Sequence, residues 1–179
     1  MFEKMNLFNK ASIKILAFLS KYPMSEFYER EIARKANVSV GAANQALKLL
    51  SENGLVIREK RGKMHFYKLN LKNPIVRQFK VLLNTIELNE LINGIKGVSK
   101  KIVLFGSAAT GEDTNESDID LLIITNEKEK IRKKITQLGK TLDRKLSPIV
   151  VNYNEFLKLK KENKALVKNI ERGIVLWEM

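Results

Sequence analysis

The chain has 179 residues, no cysteine, 44% apolar content and a formal net charge of +13. Its length admits one domain or two small ones, the missing cysteines exclude disulfides and thiolate metal sites, and no apolar run reaches the ~18 residues of a membrane helix. With no signal-peptide core in MFEKMNLFNK, a cytoplasmic, non-membrane protein is expected, and 16 Lys+Arg against 8 Asp+Glu in residues 1–90 point to a polyanionic partner.

Residues 8–22 carry apolar side chains at helical spacing, including Ile13, Leu16 and Ala17, and Pro23 ends the run. Residues 25–36 read as a second helix, with Glu26 and Glu29 early and Arg34 and Lys35 late, as the helix dipole prefers. Ser39 is a helix cap. Residues 40–52 form a third helix, with Ala43, Ala46, Leu47 and Leu50 on one side and Asn44, Gln45 and Lys48 on another. Gly54 follows as the usual terminator. Residues 55–58 and 64–69 then read as strands joined by a basic hairpin, Glu59-Lys60-Arg61-Gly62-Lys63.

Three helices and a basic hairpin resemble the winged helix-turn-helix of bacterial and archaeal transcription regulators. The resemblance implies a third helix in the major groove, with Asn44 and Gln45 on base edges and Ser39 and Lys48 on phosphates. Arg58, Lys60, Arg61 and Lys63 would contact the DNA backbone from the wing in a salt-dependent way. A winged helix used for protein contacts is the alternative.

Asn73-Pro74 opens a further helix, with Asn as cap and Pro at the first position, running to about residue 92 or 95. Its apolar content makes it a candidate dimer seam or interdomain element. Residues 93–97, Asn-Gly-Ile-Lys-Gly, read as the linker.

Residues 101–125 hold the chemistry. Two apolar, β-branched runs, 102–105 and 121–124, read as strands. Asp118 and Asp120 stand two apart, so a strand directs both carboxylates to one face and Ile119 to the other. Paired carboxylates repel unless a hard cation such as Mg²⁺ lies between them. The Gly106-Ser107 turn lets backbone approach a ligand and opens a short helix whose N–H groups favour phosphate.

The string Gly106-Ser107, Gly111, then Ser117-Asp118-Ile119-Asp120 resembles the signature of the DNA polymerase β-type nucleotidyltransferase superfamily, above all its minimal members. That resemblance, over about residues 95–179, implies a small α/β fold, Mg²⁺ held by Asp118 and Asp120, and an NTP triphosphate against Gly106 and Ser107, with Gly111 and Ser117 in the nucleotide site. Two departures stand out. Ala108, Ala109 and Thr110 replace arginines common in the family, and residues 146–152 lack its third carboxylate. Asp143 substitutes only if the alignment slips. The acidic loop 111–116 is expected to be mobile without ligand.

Asn126 is expected to cap a basic helix to residue 144, followed by a strand at 146–152, a helix at 155–161 capped by Asn154, a helical stretch at 163–172 and a strand at 174–177. The expected fold class is thus α+β with two domains: a winged helix (1–72), a connecting helix and linker (73–96), and an α/β nucleotidyltransferase-like domain with a small mixed sheet (97–179). The expected function is DNA binding combined with Mg-NTP binding and nucleotidyl transfer. The alternative is a regulator whose second domain has lost chemistry and acts as nucleotide sensor or protein-interaction module. Candidate partners are DNA, nucleotide, a second copy through the 73–95 helix, and a small protein.

Overall fold

The computed structural model describes residues 6–179. Among them are eight α-helices and seven strands in two small sheets, a mixed α+β chain that divides into two compact units, Met1–Lys80 and Val81–Met179.

In the first unit, α1 spans Lys10–Lys21, with Asn9 accepting from the Ala11 and Ser12 amides. β1 (Phe27–Tyr28) and α2 (Glu29–Lys35) follow. α3 spans Val40–Glu52 behind its Ser39 cap. It ends in a Schellman motif: Gly54 takes φ +68°, and the Leu55 and Gly54 amides donate to the Leu50 and Ser51 carbonyls. β2 (Val56–Arg61) and β3 (Met64–Leu69) form an antiparallel hairpin. Ile15, Leu16, Leu19, Ile32, Leu47 and Leu50 are fully buried among these elements. Two expectations need correcting. Residues 25–36 are not one helix, because Phe27 and Tyr28 pair with Tyr67 and Phe66 and make β1 the third strand, in the order β1-β3-β2. The hairpin loop is only Gly62-Lys63, since Glu59–Arg61 pair onward to Met64; Gly62 at φ +61° turns the chain.

α4 spans Pro74–Ile95, with the Ile75 amide donating to the Asn73 side chain. It runs through the expected linker. Gly94 lies inside the helix because Leu138 packs where a Cβ would stand, and Lys134 Nζ donates to its carbonyl. The sequence signal of a linker was a close-packing glycine.

The second unit is a four-stranded mixed sheet in the order β6-β5-β4-β7. β4 (Lys101–Phe105) and β5 (Ile119–Ile124) are antiparallel and central; β6 (Leu146–Val151) runs parallel to β5, and β7 (Ile174–Glu178) antiparallel to β4. Between β4 and β5 lies the single-turn helix α5 (Ser107–Thr110). Both central strands are buried on both faces, which is why they read as continuous apolar runs. Ile102, Leu104, Ile119, Leu121 and Ile123 share one core with α4 and with Ile131 and Ile135 of α6 (Lys128–Leu138). Val103, Phe105, Leu122 and Ile124 face α7 (Tyr153–Glu162) and α8 (Lys164–Glu171) through Phe156, Leu159 and Ile170.

The basic helix is shorter than expected: α6 begins at Lys128 without a side-chain cap and ends at Leu138. Its charges are partly spent, Lys130 on Glu127 and Arg132 on Glu129. α7 begins two residues earlier than expected, because Asn152, not Asn154, makes the capping box with Glu155. Replacing Asn152 with Ala should therefore cost about 0.5–2 kcal/mol in urea unfolding. Asn154→Ala, at an exposed position, should stay within about 0.5 kcal/mol. The reverse order would show that the cap is misassigned.

Candidate active site

On β5, alternation directs Ile119, Leu121 and Ile123 into one core and Leu122 and Ile124 into the other. Asp120 shares the face of Leu122 but sits at the strand's opening, half-buried. Asp118 lies just before the strand with its side chain 45% exposed. Burial pushes the Asp120 carboxyl above its ordinary range; a hydrogen bond from Ser147 opposes the shift and the negative charge of Asp118 adds to it. The two carboxylates thus sense each other, as the sequence spacing requires.

The turn after β4 closes on this pair. Phe105 is opposite Asp120 in the ladder, so the next residue, Gly106, reaches the carboxylate. Gly106 takes φ +71° and ψ −157°, a region open essentially to glycine, and a Cβ there would collide with Asp120 Oδ2. α5 follows directly, its first N–H groups lacking intrahelical partners. Gly111 ends it in the left-handed conformation, φ +71°, and the Gly111 and Glu112 amides both donate to the Ser107 carbonyl.

A buried polar clamp, which sequence reading missed, holds this turn. Asn84 on α4 donates to the Ala108 carbonyl (2.8 Å) and to Asp113 Oδ1 (3.2 Å). Arg144 donates from Nη1 to Asp113 Oδ2 (2.7 Å), and from Nη2 to Asn84 Oδ1 and Glu87 Oε2 (both 2.9 Å). The Arg144 and Asp113 side chains are only 9% and 6% exposed. The loop expected to be mobile is therefore tied at Asp113. It is tied again at Ser117, whose Oγ accepts from the Thr114 amide (2.9 Å), so this predicted nucleotide ligand braces the loop. An acid in a polar loop and an arginine after a basic helix carry no sequence signal of such pairing.

The neighbouring strand explains the second departure. β6 runs parallel to β5 with Ser147 beside Asp120, so the place flanking the Asp pair holds a hydroxyl. Asp143 is exposed in the loop before β6, and among the described residues no three acidic, His or Cys side chains group to hold a metal. Lys145 Nζ lies 4.0 Å from Asp118 Oδ2. Ala108 is buried, and Thr110 donates its hydroxyl to the Ser107 carbonyl (3.1 Å).

The predicted DNA-facing residues lie in the first unit, several already engaged. Ser39 Oγ accepts from the Ala42 amide (3.2 Å), and Asn44 donates to Glu29 Oε2 (2.9 Å). Gln45 and Lys48 are exposed, Lys48 being 4.0 Å from Glu52. Arg58 lies opposite Tyr67 and hydrogen-bonds its hydroxyl. Arg61 does not present a free charge: it is bidentate to Glu59 (2.7 and 3.1 Å), reaches Glu26 (2.6 Å) and stacks on Phe66. Glu26 also holds Lys68 (3.1 Å), whose hydrogen bond, followed by that of Arg61, keeps the Glu26 carboxyl below its usual range. Lys60 and Lys63 are exposed.

A family model described as "Nucleotidyltransferase domain" matches residues 87–176. The curated relative "Putative protein adenylyltransferase MJ0604" of Methanocaldococcus jannaschii is 51% identical over 41 residues, 21% of this chain and 41% of that one; the chain thus spans about two fifths of that relative's length. Among solved structures, a homodimeric winged helix-turn-helix DNA-binding domain of Mycobacterium bovis matches with TM-score 0.38 and 22% identity, over 48% of this chain and 75% of that one. The protein AF1382 of Archaeoglobus fulgidus matches with TM-score 0.38 and 23% identity, over 47% and 97%. No described helix is long and apolar enough to cross a membrane.

The clamp and the turn make separate predictions. Arg144→Met leaves buried Asp113 without its counter-charge and should cost about 3–5 kcal/mol in chemical unfolding. Gly106→Ala should cost about 1–3 kcal/mol from backbone strain alone. An Arg144→Met loss below about 1 kcal/mol would show that the clamp does not hold the loop.

Proposed function

Because the chain belongs to the nucleotidyltransferase domain family, we propose that its second unit binds an NTP and transfers the nucleotidyl group to an acceptor hydroxyl. The observation that carries this reading is the approach of Gly106 to Asp120: only a residue without a side chain leaves the Asp120 oxygen open beside the start of α5. Asp118 and Asp120 offer two hard oxygen donors on one face, with solvent on one side, which suits Mg²⁺ completed by waters and phosphate oxygens. Bound there, Mg²⁺ would neutralise charge on the α-phosphate and activate the acceptor oxygen. Asp118 and Asp120 would hold that ion. Gly106 and Ser107 receive the β- and γ-phosphates through backbone amides, with Gly111 closing the turn. Ser117 acts indirectly, by holding the loop. The acceptor oxygen bonds to the α-phosphorus, the bond from that phosphorus to the bridging oxygen breaks, and pyrophosphate leaves. The acceptor proton goes to solvent, as among the described residues no third acidic, His or Cys side chain groups with the Asp pair. The name of the Methanocaldococcus jannaschii relative supports a protein hydroxyl as acceptor and ATP as donor.

A second reading, a nucleotide sensor or protein-interaction module without turnover, is favoured by Ser147 in the flanking place and by the uncharged Ala108-Ala109-Thr110. Transfer and sensing share the nucleotide site and part at transfer of labelled nucleotide to an acceptor protein; a pure protein-interaction module binds no NTP.

The first unit is read as a winged helix that binds DNA through the exposed face of α3 and the wing. The order helix, strand, two helices and a hairpin supports it. Phosphate contact falls to Lys60 and Lys63, since Arg61 is neutralised locally. The homodimer through the 73–95 helix draws support from Leu82 and Ile86, 53% and 61% exposed one turn apart.

Calorimetry should show Mg²⁺-dependent NTP binding in the wild type and at least a ~10-fold loss, about 1.4 kcal/mol, in Asp118→Asn/Asp120→Asn. Silence with all four NTPs would sink nucleotidyl transfer and the nucleotide sensor, and leave the protein-interaction module standing. On DNA, Lys60→Gln and Lys63→Gln should each lower the salt slope of log K by about 0.9, and Arg61→Gln by clearly less. Equal effects from all three would show that Arg61 leaves its carboxylates to bind phosphate.

A further inference from the structure

β5 and β6 run parallel in register, with Ile119 opposite Leu146 and Asp120 opposite Ser147. The Ile119 amide donates to the Lys145 carbonyl (2.8 Å), which extends the pairing back to Asp118 and Lys145. Residues paired this way share a face. The opening of the two strands thus carries a square of side chains: Asp120 on β5 with Asp118 just before it, and Ser147 on β6 with Lys145 just before it. Lys145 Nζ stands 4.0 Å from Asp118 Oδ2, and Ser147 stands opposite Asp120, whose carboxyl its hydroxyl pulls down.

This square differs from a site built for two divalent ions. A second ion needs a further anionic oxygen from a neighbouring strand. On β6 that place holds Ser147, whose hydroxyl acts as a donor toward Asp120 and so takes up part of the carboxylate's accepting capacity. One step along, the same strand brings in a positive charge that would repel a second cation. The Lys145 side chain is 81% exposed. An ion pair this open contributes little to folding, so the ammonium on its flexible stem is free to exchange Asp118 for another anion. With one divalent ion balancing the two carboxylates, Lys145 is the nearby cation for the polyphosphate, and Ala108-Ala109-Thr110 supply none.

Resting on the nucleotide site proposed above, we propose that this site takes one divalent cation with its nucleotide, and that Lys145 supplies the second positive charge.

The test uses the full chain with Mn²⁺ and a non-hydrolysable α,β-methylene analogue of ATP, read by electron paramagnetic resonance and by calorimetric analogue affinity. The wild type should bind one Mn²⁺ per chain with the spectrum of an isolated ion. Lys145→Gln should keep the isolated-ion spectrum and lose analogue affinity about 10-fold or more. Ser147→Asp should gain a second Mn²⁺ and the spin-coupled spectrum of a close pair. A spin-coupled pair in the wild type would overturn the single-cation site and leave nucleotidyl transfer standing. Unchanged analogue affinity in Lys145→Gln would overturn the role of Lys145. No Mn²⁺ bound by the wild type with the analogue present would overturn this inference together with the function on which it rests.

Discussion

A carboxylate on a strand buried on both faces has one tolerable place, the end where the cover stops. β5 is such a strand: Leu121 and Ile123 enter one core, Leu122 and Ile124 the other. Asp120 stands at its opening and Asp118 just outside it. Everything else in the second unit follows from keeping these groups ionisable at the edge of a core. The backbone that passes Asp120 carries no side chain, the hydroxyl of Ser147 solvates one carboxylate, and the ammonium of Lys145 balances the other. Desolvation and the negative charge of Asp118 raise the cost of charging Asp120, and the Ser147 hydroxyl lowers it.

The turn that meets the carboxylates is itself held from behind. α5 is a single turn and contributes little stability of its own. Its position comes from Asn84 on a long helix and from Arg144 at the entrance of β6, joined through Asp113. One buried guanidinium therefore links three segments far apart in sequence: the helix, the loop after the turn, and the chain entering the strand that bears Ser147. Its fork geometry suits that task, since a lysine has no planar set of donors to divide among Asp113, Asn84 and Glu87.

In the first unit, net charge and available charge are different quantities. The unit is basic, yet Glu26 alone holds Arg61 and Lys68, and Glu59 holds Arg61 again. Arg61 lies over Phe66 as well, which fixes its plane. This arrangement stiffens the hairpin next to its Gly62-Lys63 turn and leaves the charges outside the cluster, Lys60 and Lys63, to face solvent.

Local pattern decided much of this protein. Helical spacing located α1, α3 and the long α4. Unbroken apolar runs marked β4 and β5 as buried strands. These are properties of neighbouring residues, and chain geometry alone converts them into structure. Capping was legible where Ser39 and Asn73 stood alone before a helix. It was misread at Asn154, because the reciprocal bond between Asn152 and Glu155 competes two residues earlier. Only the tertiary structure decided the rest. Phe27-Tyr28 became a strand because β3 offered a free edge. Gly94 stayed helical because Leu138 fills the space beside it. Arg144 and Asp113 found each other across 31 residues. Ser147 came to flank Asp120 through a parallel pairing with no local signature. Each of these depends on a contact between distant segments, whose free energy comes from desolvation and complementary shape, and neither quantity exists until the chain has folded.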